Sequence, residues 1–262
     1  MLRNIRKLTV ISFLLLSLML AGCRTAGSAA TKGSPESSSD SRYKVMSGKV
    51  AVFGTSLWAI EPGPTGIASR LKELTSFEVT DNTVMGGMAA RVEEDPLSEG
   101  SLISILLYND DVYSKRMRDS IREADYVILD FGGNDCSSGV PASGDGNSFE
   151  NALKLAVTTI REMNPGARII LITPIVGWEY IDGEYVSIVD IDCGGGTIMD
   201  FIDTVEKVAQ EEALFCVNMS EVIVFSKDEP LKYFEDGSHL TEYGRMVYAQ
   251  YLTEQIYGRY YS

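Results

Sequence analysis

Three short segments of the sequence combine residue types that could carry out acyl transfer. Gly54-Thr55-Ser56-Leu57 holds a serine hydroxyl, and Gly132-Gly133-Asn134-Asp135 holds a side-chain amide. Asp236-Gly237-Ser238-His239 adds an imidazole with a carboxylate three residues before it. Together they supply a nucleophile, a general base with an orienting carboxylate, and a donor for an oxyanion. His239 is the only histidine in the chain, so no other imidazole can act as the base.

Each segment has an ordinary structural explanation when it is considered alone. A serine after a glycine is common in turns and helix caps, and Gly-Gly-Asn-Asp and Asp-Gly-Ser are common loop compositions. The combination of the three segments therefore carries the prediction of a hydrolytic site. That site is not the Gly-x-Ser-x-Gly elbow of α/β-hydrolases, since Trp58 stands where the second glycine would be.

The elements around these segments predict a layered α/β domain. Short apolar runs predict five strands, at residues 49–53, 77–80, 126–131, 168–173 and 214–219. Helical spacing of apolar residues predicts helices at 65–74, 114–124, 153–163, 198–209 and 241–257. Asn147 and Glu150 are expected to cap the third of these helices. Alternating strands and helices predict a three-layer α/β/α sandwich, which binds ligands beyond the carboxyl ends of its parallel strands.

Four segments, taken in order, resemble the sequence blocks of the SGNH hydrolase superfamily, which includes GDSL-type esterases and lipases. They are Phe53-Gly-Thr-Ser56, Asn82-Thr-Val-Met-Gly-Gly87, Gly132-Gly-Asn-Asp135 and Asp236-Gly-Ser-His239. The resemblance covers residues 50–256. It implies a flavodoxin-like fold with a five-stranded parallel sheet, and a serine esterase that needs no cofactor and no metal.

The resemblance also implies a role for each site residue. Ser56 would attack an ester carbonyl, His239 would take its proton and pass it to the leaving alkoxide, and Asp236 would orient the imidazole. The oxyanion would be held by the backbone N–H groups of Ser56 and Gly87 and by the side-chain amide of Asn134. Water would then hydrolyse the acyl-enzyme.

Some positions leave alternatives open. Gly86 competes with Gly87 as the oxyanion donor, and the spacing from Asn82 favours Gly87. Thr55 stands where the family usually has aspartate, and Met88-Ala89 stand where small hydroxylated residues are frequent. These departures leave the reactivity and the range of substrates open.

The substrate is expected to be an extracellular ester, with an acetyl or similar short acyl group on a polysaccharide as the leading prediction. Trp58, Trp178 and Tyr180 follow strand ends, where their rings could stack on a sugar or simply pack under loops. One alternative is an acyltransferase, in which a sugar hydroxyl replaces water. The other is a catalytically silent, glycan-binding surface lipoprotein, against which the intact Ser56, Asn134 and His239 argue.

The amino-terminal segment predicts export and lipid attachment. Basic residues at positions 3, 6 and 7 precede an apolar run at 8–21, which is short for a membrane span and typical of an export signal. The run ends in Leu20-Ala21-Gly22-Cys23, which resembles the lipobox of bacterial lipoproteins. We therefore predict a signal peptide at 1–22 and acylation of Cys23; an ordinary signal peptide or an uncleaved anchor are the alternatives.

Composition completes the predicted organisation. Residues 23–42 are rich in Ser, Ala, Gly and Thr and are expected to form a flexible tether to a hydrolase domain at 43–262. The protein would then be lipid-anchored at the extracytoplasmic face of the cell membrane. The net charge of −14 argues against nucleic acid as a partner, and one histidine without a Cys-x-x-Cys motif argues against structural zinc. We expect a monomer.

Three cysteines remain if Cys23 carries the lipid. Cys216 lies in a predicted strand and is expected to be a small buried apolar residue. Cys136 and Cys193 lie in loops at the same end of the predicted sheet. They either form a disulfide, which an exported protein permits, or remain two free thiols.

Overall fold

The computed structural model describes residues 41–92 and 100–262, which fold into two β-sheets and their covering helices. In chain order the strands are β1 Ser47–Gly54, β2 Ser76–Asp81, β3 Tyr126–Asp130, β4 Arg168–Ile172, β5 Trp178–Ile181, β6 Glu184–Ser187 and β7 Phe215–Val217. Five of these strands form a parallel sheet in the order β2-β1-β3-β4-β7. The predicted five-stranded parallel sheet is confirmed.

Helices cover both faces of this sheet. They are α1 Ser56–Ala59, α2 Ile67–Leu74, α3 Val112–Glu123, α4 Gly133–Ser137, α5 Phe149–Met163, α6 Ile198–Glu211 and α7 Glu242–Tyr260. Side chains alternate along each strand, so Val127 and Leu129 face one apolar core while Tyr126 and Ile128 face the other. Helices α5 and α6 close the first core, and α2 and α7 close the second. The predicted three-layer α/β/α sandwich is confirmed.

Strands β5 and β6 form an antiparallel hairpin between residues 173 and 198, where the sequence predicts no strand or helix. Asp182 and Gly183 make its two-residue turn, with φ angles of 52° and 90°. An Asp-Gly pair between two short apolar segments is a strong hairpin signal because both turn residues need positive φ. The sequence therefore contains a signal for the hairpin. The strands themselves, with four residues each, are too short to show a clear strand pattern.

The predicted cap of α5 is wrong by one residue. Ser148, not Asn147, is the N-cap, and its hydroxyl accepts a hydrogen bond from the N–H of Asn151 at 3.3 Å. The Asn147 amide donates to the carbonyl oxygen of Arg91 at 2.6 Å. Glu150 instead pairs with lysines on α5 and α6. Tertiary contacts thus separate two adjacent residues that are equally good caps by type.

The predicted signal peptide, the lipidation site Cys23 and all but the last two residues of the predicted tether lie outside the described residues. The described part of the chain contains no helix that is long and apolar enough to cross a membrane. Its first element is a short 3₁₀ helix, Ser41–Val45, in which Tyr43 is buried with its ring 5.4 Å from that of Tyr257.

Candidate active site

The structure brings together Ser56, His239 and Asp236, which the sequence places in two distant segments. Ser56 follows the carboxyl end of β1, and the other two residues lie in the loop before α7. The distance from Ser56 Oγ to His239 Nε2 is 3.0 Å, and that from His239 Nδ1 to Asp236 Oδ2 is 2.7 Å. Both distances are within hydrogen-bonding range, so the three side chains form a continuous chain.

The turn that presents Ser56 is a helix start placed directly after a strand. β1 ends at Gly54, Thr55 is the N-cap of α1, and Ser56 is the first helical residue. The Thr55 hydroxyl accepts the N–H of Leu57 at 3.4 Å. Aspartate, the usual family residue at this position, is also a good N-cap, so threonine preserves the local geometry here.

The carboxylate of Asp236 holds the loop that contains both Asp236 and His239. Asp236 Oδ1 accepts the backbone N–H groups of Ser238 and His239 at 3.0 and 2.7 Å, while Oδ2 accepts the ring. Gly237 has a φ of 90°, and a Cβ there would lie 2.0 Å from the carbonyl oxygen of Trp178. Only glycine fits at this position, because the hairpin strand β5 passes so close.

The electrostatics of the pair make His239 a stronger base than a free imidazole. Partial burial raises the pKa of Asp236, but hydrogen bonds from the His239 ring and from two backbone N–H groups outweigh it, and the pKa falls to about 2. The hydrogen bond with Asp236 raises the pKa of His239 above its ordinary value, against the effect of burial. With Asp236 ionised, Nδ1 is the donor, and Nε2 can accept the Ser56 proton.

Two of the three predicted oxyanion donors, Gly87 and Asn134, are joined by a hydrogen bond. Asn134, in α4, donates one amide hydrogen to the carbonyl oxygen of Gly87 at 2.9 Å, which leaves its second amide hydrogen for another acceptor. The N–H of Gly87 donates to the carbonyl oxygen of Val84 at 2.9 Å. Gly87 can therefore serve an oxyanion only by sharing this hydrogen between two acceptors.

Gly86 has a separate structural role in the same turn. It is the third residue of the turn that the Gly87-to-Val84 bond closes, and its φ is 69°. A positive φ at the third residue of a β-turn favours glycine or asparagine. The turn accounts for the glycine pair while leaving the choice of oxyanion donor as a prediction.

Asp135 is a positioning residue. The sequence alone assigns it no role beyond its place in the Gly-Gly-Asn-Asp segment. Its buried carboxylate accepts the N–H groups of Ala89 and Ala90 at 3.0 and 2.9 Å, so it holds the loop that follows Gly87. Burial raises the pKa of Asp135 to about 6, although these N–H donors lower it. Its place next to Asn134 is the one signal in the sequence that could have indicated this role.

Trp58 does not lie where a sugar could stack on it. Its side chain is buried, and its indole N–H donates to Asp130 Oδ2 at 2.6 Å. The hydroxyl of Tyr248, from α7, donates to the same oxygen at 2.6 Å. This buried network ties the nucleophile helix α1 to α7, so the packing alternative applies to Trp58.

The other two aromatic residues lie on the hairpin. Trp178 is 8% exposed, lines the pocket beside Ser56, and donates its indole N–H to the carbonyl oxygen of Pro230 at 2.9 Å. Its backbone N–H donates to Gly237, which ties the hairpin to the loop of His239. Tyr180 is 61% exposed and contacts the ring of Tyr185 at a centroid distance of 5.0 Å. Of the three aromatic residues predicted to stack on a sugar, Tyr180 alone is mostly exposed.

Cys136 and Cys193 form a disulfide, with Cα atoms 5.6 Å apart. The structure therefore supports the first of the two alternatives for these cysteines. The bridge joins α4, which carries Asn134, to the loop between β6 and α6. Cys216 is free and only partly buried, and burial raises the pKa of its thiol to about 12.

We expect the Cys136→Ser/Cys193→Ser double variant to lose about 2–4 kcal/mol in free energy of unfolding, because the bridge closes a long loop of the unfolded chain. Denaturant unfolding with and without a reductant measures this loss. The reductant should destabilise the wild type and leave the double variant unchanged. Alkylation of both thiols in the native, unreduced protein would contradict the bridge.

Asn134→Ala is expected to lower kcat of ester hydrolysis about 100-fold while KM changes little, since an oxyanion donor acts mainly in the transition state. Steady-state kinetics on one soluble ester separate the two constants. A loss confined to KM would show that Asn134 binds the substrate instead.

No group of three or more His, Cys, Asp or Glu side chains in residues 41–92 and 100–262 is arranged to hold a metal ion.

Comparison with known proteins finds one matching family and several solved structures of similar fold. The model of the GDSL-like lipase/acylhydrolase family matches residues 53–246, which contain all the site residues. No curated protein matches the chain. Solved structures with a similar fold include an acetyl xylan esterase, with a TM-score of 0.51 and 16% identity over 81% of this chain and 99% of that one.

Two further solved structures share the fold. A carbohydrate acetylesterase from Sinorhizobium meliloti has a TM-score of 0.55 and 14% identity over 81% of this chain and 99% of that one. A salicylyl-acyltransferase from a tetracycline biosynthetic pathway has a TM-score of 0.52 and 15% identity over 81% of this chain and 55% of that one. At these identities the similarity concerns the fold.

Proposed function

The chain belongs to the GDSL-like lipase/acylhydrolase family of carboxylic ester hydrolases, and on this basis we propose that it is a serine esterase using Ser56, His239 and Asp236. The observation that carries the proposal is the hydrogen-bonded chain from Ser56 Oγ through the His239 ring to Asp236. Ser56 lines a pocket of about 200 Å³.

The proposed reaction has two halves. Ser56 Oγ attacks the ester carbonyl carbon while His239 Nε2 takes the hydroxyl proton, which gives a tetrahedral oxyanion beside Asn134. The intermediate collapses, the carbon–oxygen bond to the alcohol breaks, and His239 gives its proton to the leaving alkoxide. Water then attacks the acyl-Ser56 ester while His239 takes its proton; the bond between the acyl carbon and Ser56 Oγ breaks, and His239 returns the proton to Ser56 Oγ as the acid leaves. Asp236 remains ionised throughout.

We propose that the alcohol part of the substrate is a carbohydrate or a related hydroxyl compound. Two observations support this: the exposed ring of Tyr180 on the hairpin beside the pocket, and the activities named for two proteins of similar fold. A sugar can stack its apolar face on an exposed aromatic ring. We expect a short acyl group, such as acetyl, on that carbohydrate.

An ester panel tests the proposed function. Full-length protein is assayed on p-nitrophenyl esters, acetylated xylan and acetylated monosaccharides, with Ser56→Ala as the blank for each. Release of acid by the wild type and not by Ser56→Ala supports the esterase. Binding of the acetylated glycan without turnover by the wild type would instead favour the silent glycan-binding protein.

An acyltransferase is the second candidate, and the fold shared with the salicylyl-acyltransferase favours keeping it. In transfer, an acceptor hydroxyl replaces water in the second half-reaction. Adding sugar acceptors to the ester assay distinguishes the two. Formation of acylated sugar in preference to free acid identifies a transferase.

We propose that the protein is held at the extracytoplasmic face of the cell membrane by a lipid on Cys23. Cys23→Ser is then expected to leave an unprocessed, unacylated precursor, because the processing signal requires the cysteine. Mass spectrometry of the protein from membrane fractions gives the mature amino terminus. An unmodified terminus at another residue in the wild type would contradict the proposal.

A further inference from the structure

The pocket beside Ser56 has an apolar interior. Isoleucine side chains come from three elements: Ile175 follows β4, Ile188 and Ile191 lie in the segment after β6, and Ile198 begins α6. Phe131 and the Cys136–Cys193 disulfide lie in the same lining. A wall of this composition favours apolar ligand atoms, because each apolar group that enters it leaves water.

The position of the pocket relative to Ser56 identifies the part of the substrate that would enter it. A tetrahedral carbon on Ser56 Oγ directs its oxyanion toward Asn134 and its leaving oxygen toward His239, which must protonate it. The third substituent is the acyl chain. Ser56 and Asn134 line the pocket, as do Gly237 and Ser238 of the loop that carries His239, whereas His239 itself is not among the described lining residues. With the oxyanion beside Asn134 and the leaving oxygen at the His239 ring, the acyl chain is the substituent left to enter the pocket.

The volume of the pocket exceeds what an acetyl group needs. It measures about 200 Å³, whereas an apolar cavity of about 150 Å³ already accepts benzene, with its six carbon atoms. Acetyl would place a single methyl group there and leave most of the apolar wall against water or empty space. Longer chains gain affinity, since each buried methylene changes a binding constant by about fourfold.

The charged groups around the pocket exclude an acidic acyl chain. No lysine or arginine occurs among the described lining residues. The two carboxylates that line it are Asp130, which accepts hydrogen bonds from Trp58 and Tyr248, and the exposed Glu179. A dicarboxylic acyl group would thus lack a cationic partner and meet like charge.

We infer that the pocket binds an uncharged acyl group of about four to eight carbon atoms, with Ile191 and Ile198 limiting its length. This inference rests on the proposed esterase function and replaces the expectation of acetyl. Ile198 is buried at the start of α6, and Ile191 is half-buried in the segment that the disulfide fixes. A larger side chain at either position would shorten the pocket.

A chain-length series on the full-length protein tests the inference. Hydrolysis of p-nitrophenyl acetate, butyrate, hexanoate and octanoate is measured, with the rate of Ser56→Ala subtracted. We expect kcat/KM to be at least about 10-fold higher for hexanoate than for acetate, given a gain of about fourfold per buried methylene. The p-nitrophenyl ester of succinate should be hydrolysed less well than the butyrate.

Substitutions in the wall then test the residues. Ile198→Trp and Ile191→Trp are each expected to lower the hexanoate-to-acetate ratio of kcat/KM by about 10-fold or more, because the larger indole takes up volume in the pocket. Met199→Trp is the matched control: Met199 is adjacent to Ile198 but is 37% exposed, so the ratio should stay as in the wild type. Ile191→Trp keeps the test valid if tryptophan at the buried position 198 prevents folding.

The outcomes separate the two proposals. A preference for acetate over butyrate and hexanoate would overturn the acyl-length inference while leaving the esterase intact. An unchanged ratio in Ile191→Trp and in a folded Ile198→Trp would overturn the role of these isoleucines. The absence of Ser56-dependent hydrolysis for every ester would overturn the proposed function, and the inference with it.

Discussion

Ser56→Ala is expected to lower kcat/KM for ester hydrolysis by about 10⁴- to 10⁶-fold, because the substitution removes the attacking oxygen from a group of residues that act as a unit. The fold should stay intact. Alanine is the most favourable residue for a helix, Ser56 is the first residue of α1, and its hydroxyl contacts the His239 ring. Steady-state kinetics and thermal unfolding of the purified variant measure both effects.

Ser76→Ala is a matched control for this experiment. Ser76 begins β2 and lies at the opposite end of the sheet from the site, where its hydroxyl donates to the carbonyl oxygen of Lys44 at 2.9 Å. The control should keep the wild-type kcat/KM. Equal activity in Ser56→Ala and the wild type would rule out Ser56 as the nucleophile, provided that the activity copurifies with the protein.

The sheet could be predicted from sequence because its signals are local. Buried parallel strands are short apolar runs, and α5 and α6 show apolar residues at helical spacing, so each element is visible within its own residues. The proximity of Ser56 and Asn134 follows from the predicted sheet, since both residues come after strands and the carboxyl ends of parallel strands meet at one edge. His239 could be placed beside them because it is the only histidine and stands just before the closing helix.

Features that depend on contacts between distant segments could not be predicted in the same way. The position of Trp58 is determined by Asp130, whose Oδ2 accepts hydrogen bonds from Trp58 and from Tyr248. Asp130 lies 72 residues from Trp58 and 118 residues from Tyr248 in the sequence. Asp135 finds its two N–H donors in a loop more than forty residues earlier. Neither contact leaves a periodic pattern. The choice between a disulfide and two free thiols likewise depends on the distance between two loops.

Two buried carboxylates connect the elements that surround the site. Asp130 and Asp135 lie at the end of β3 and in α4, and each accepts two donors from other elements. Burial raises the pKa of both carboxyl groups to about 6, while the hydrogen bonds that they accept lower it. Because these bonds limit the rise, both groups are ionised near neutral pH. Asp130 thereby holds α1 and α7 at the end of β3, and Asp135 holds the loop after Gly87 against α4.

The pH dependence of the wild type should report His239. The base must be neutral to accept the Ser56 proton, so kcat/KM is expected to rise with pH through the pKa of His239 and to level off above it. Asp236 raises that pKa above the ordinary value of 6.5. Asp236→Asn should therefore shift the acidic limb of the profile to lower pH while it lowers the plateau. An unshifted limb would assign the limb to another group.

His239→Ala is expected to lower kcat/KM about as far as Ser56→Ala, by about 10⁴- to 10⁶-fold, because the serine hydroxyl is a weak nucleophile without its base. The pH-dependent limb attributed to His239 should disappear from the residual rate. Since the chain has a single histidine, no second imidazole can substitute for it. Imidazole added to the assay should restore part of the rate in His239→Ala and none in Ser56→Ala. A His239→Ala variant that folds and keeps more than about a tenth of the wild-type kcat/KM would show that the base lies elsewhere.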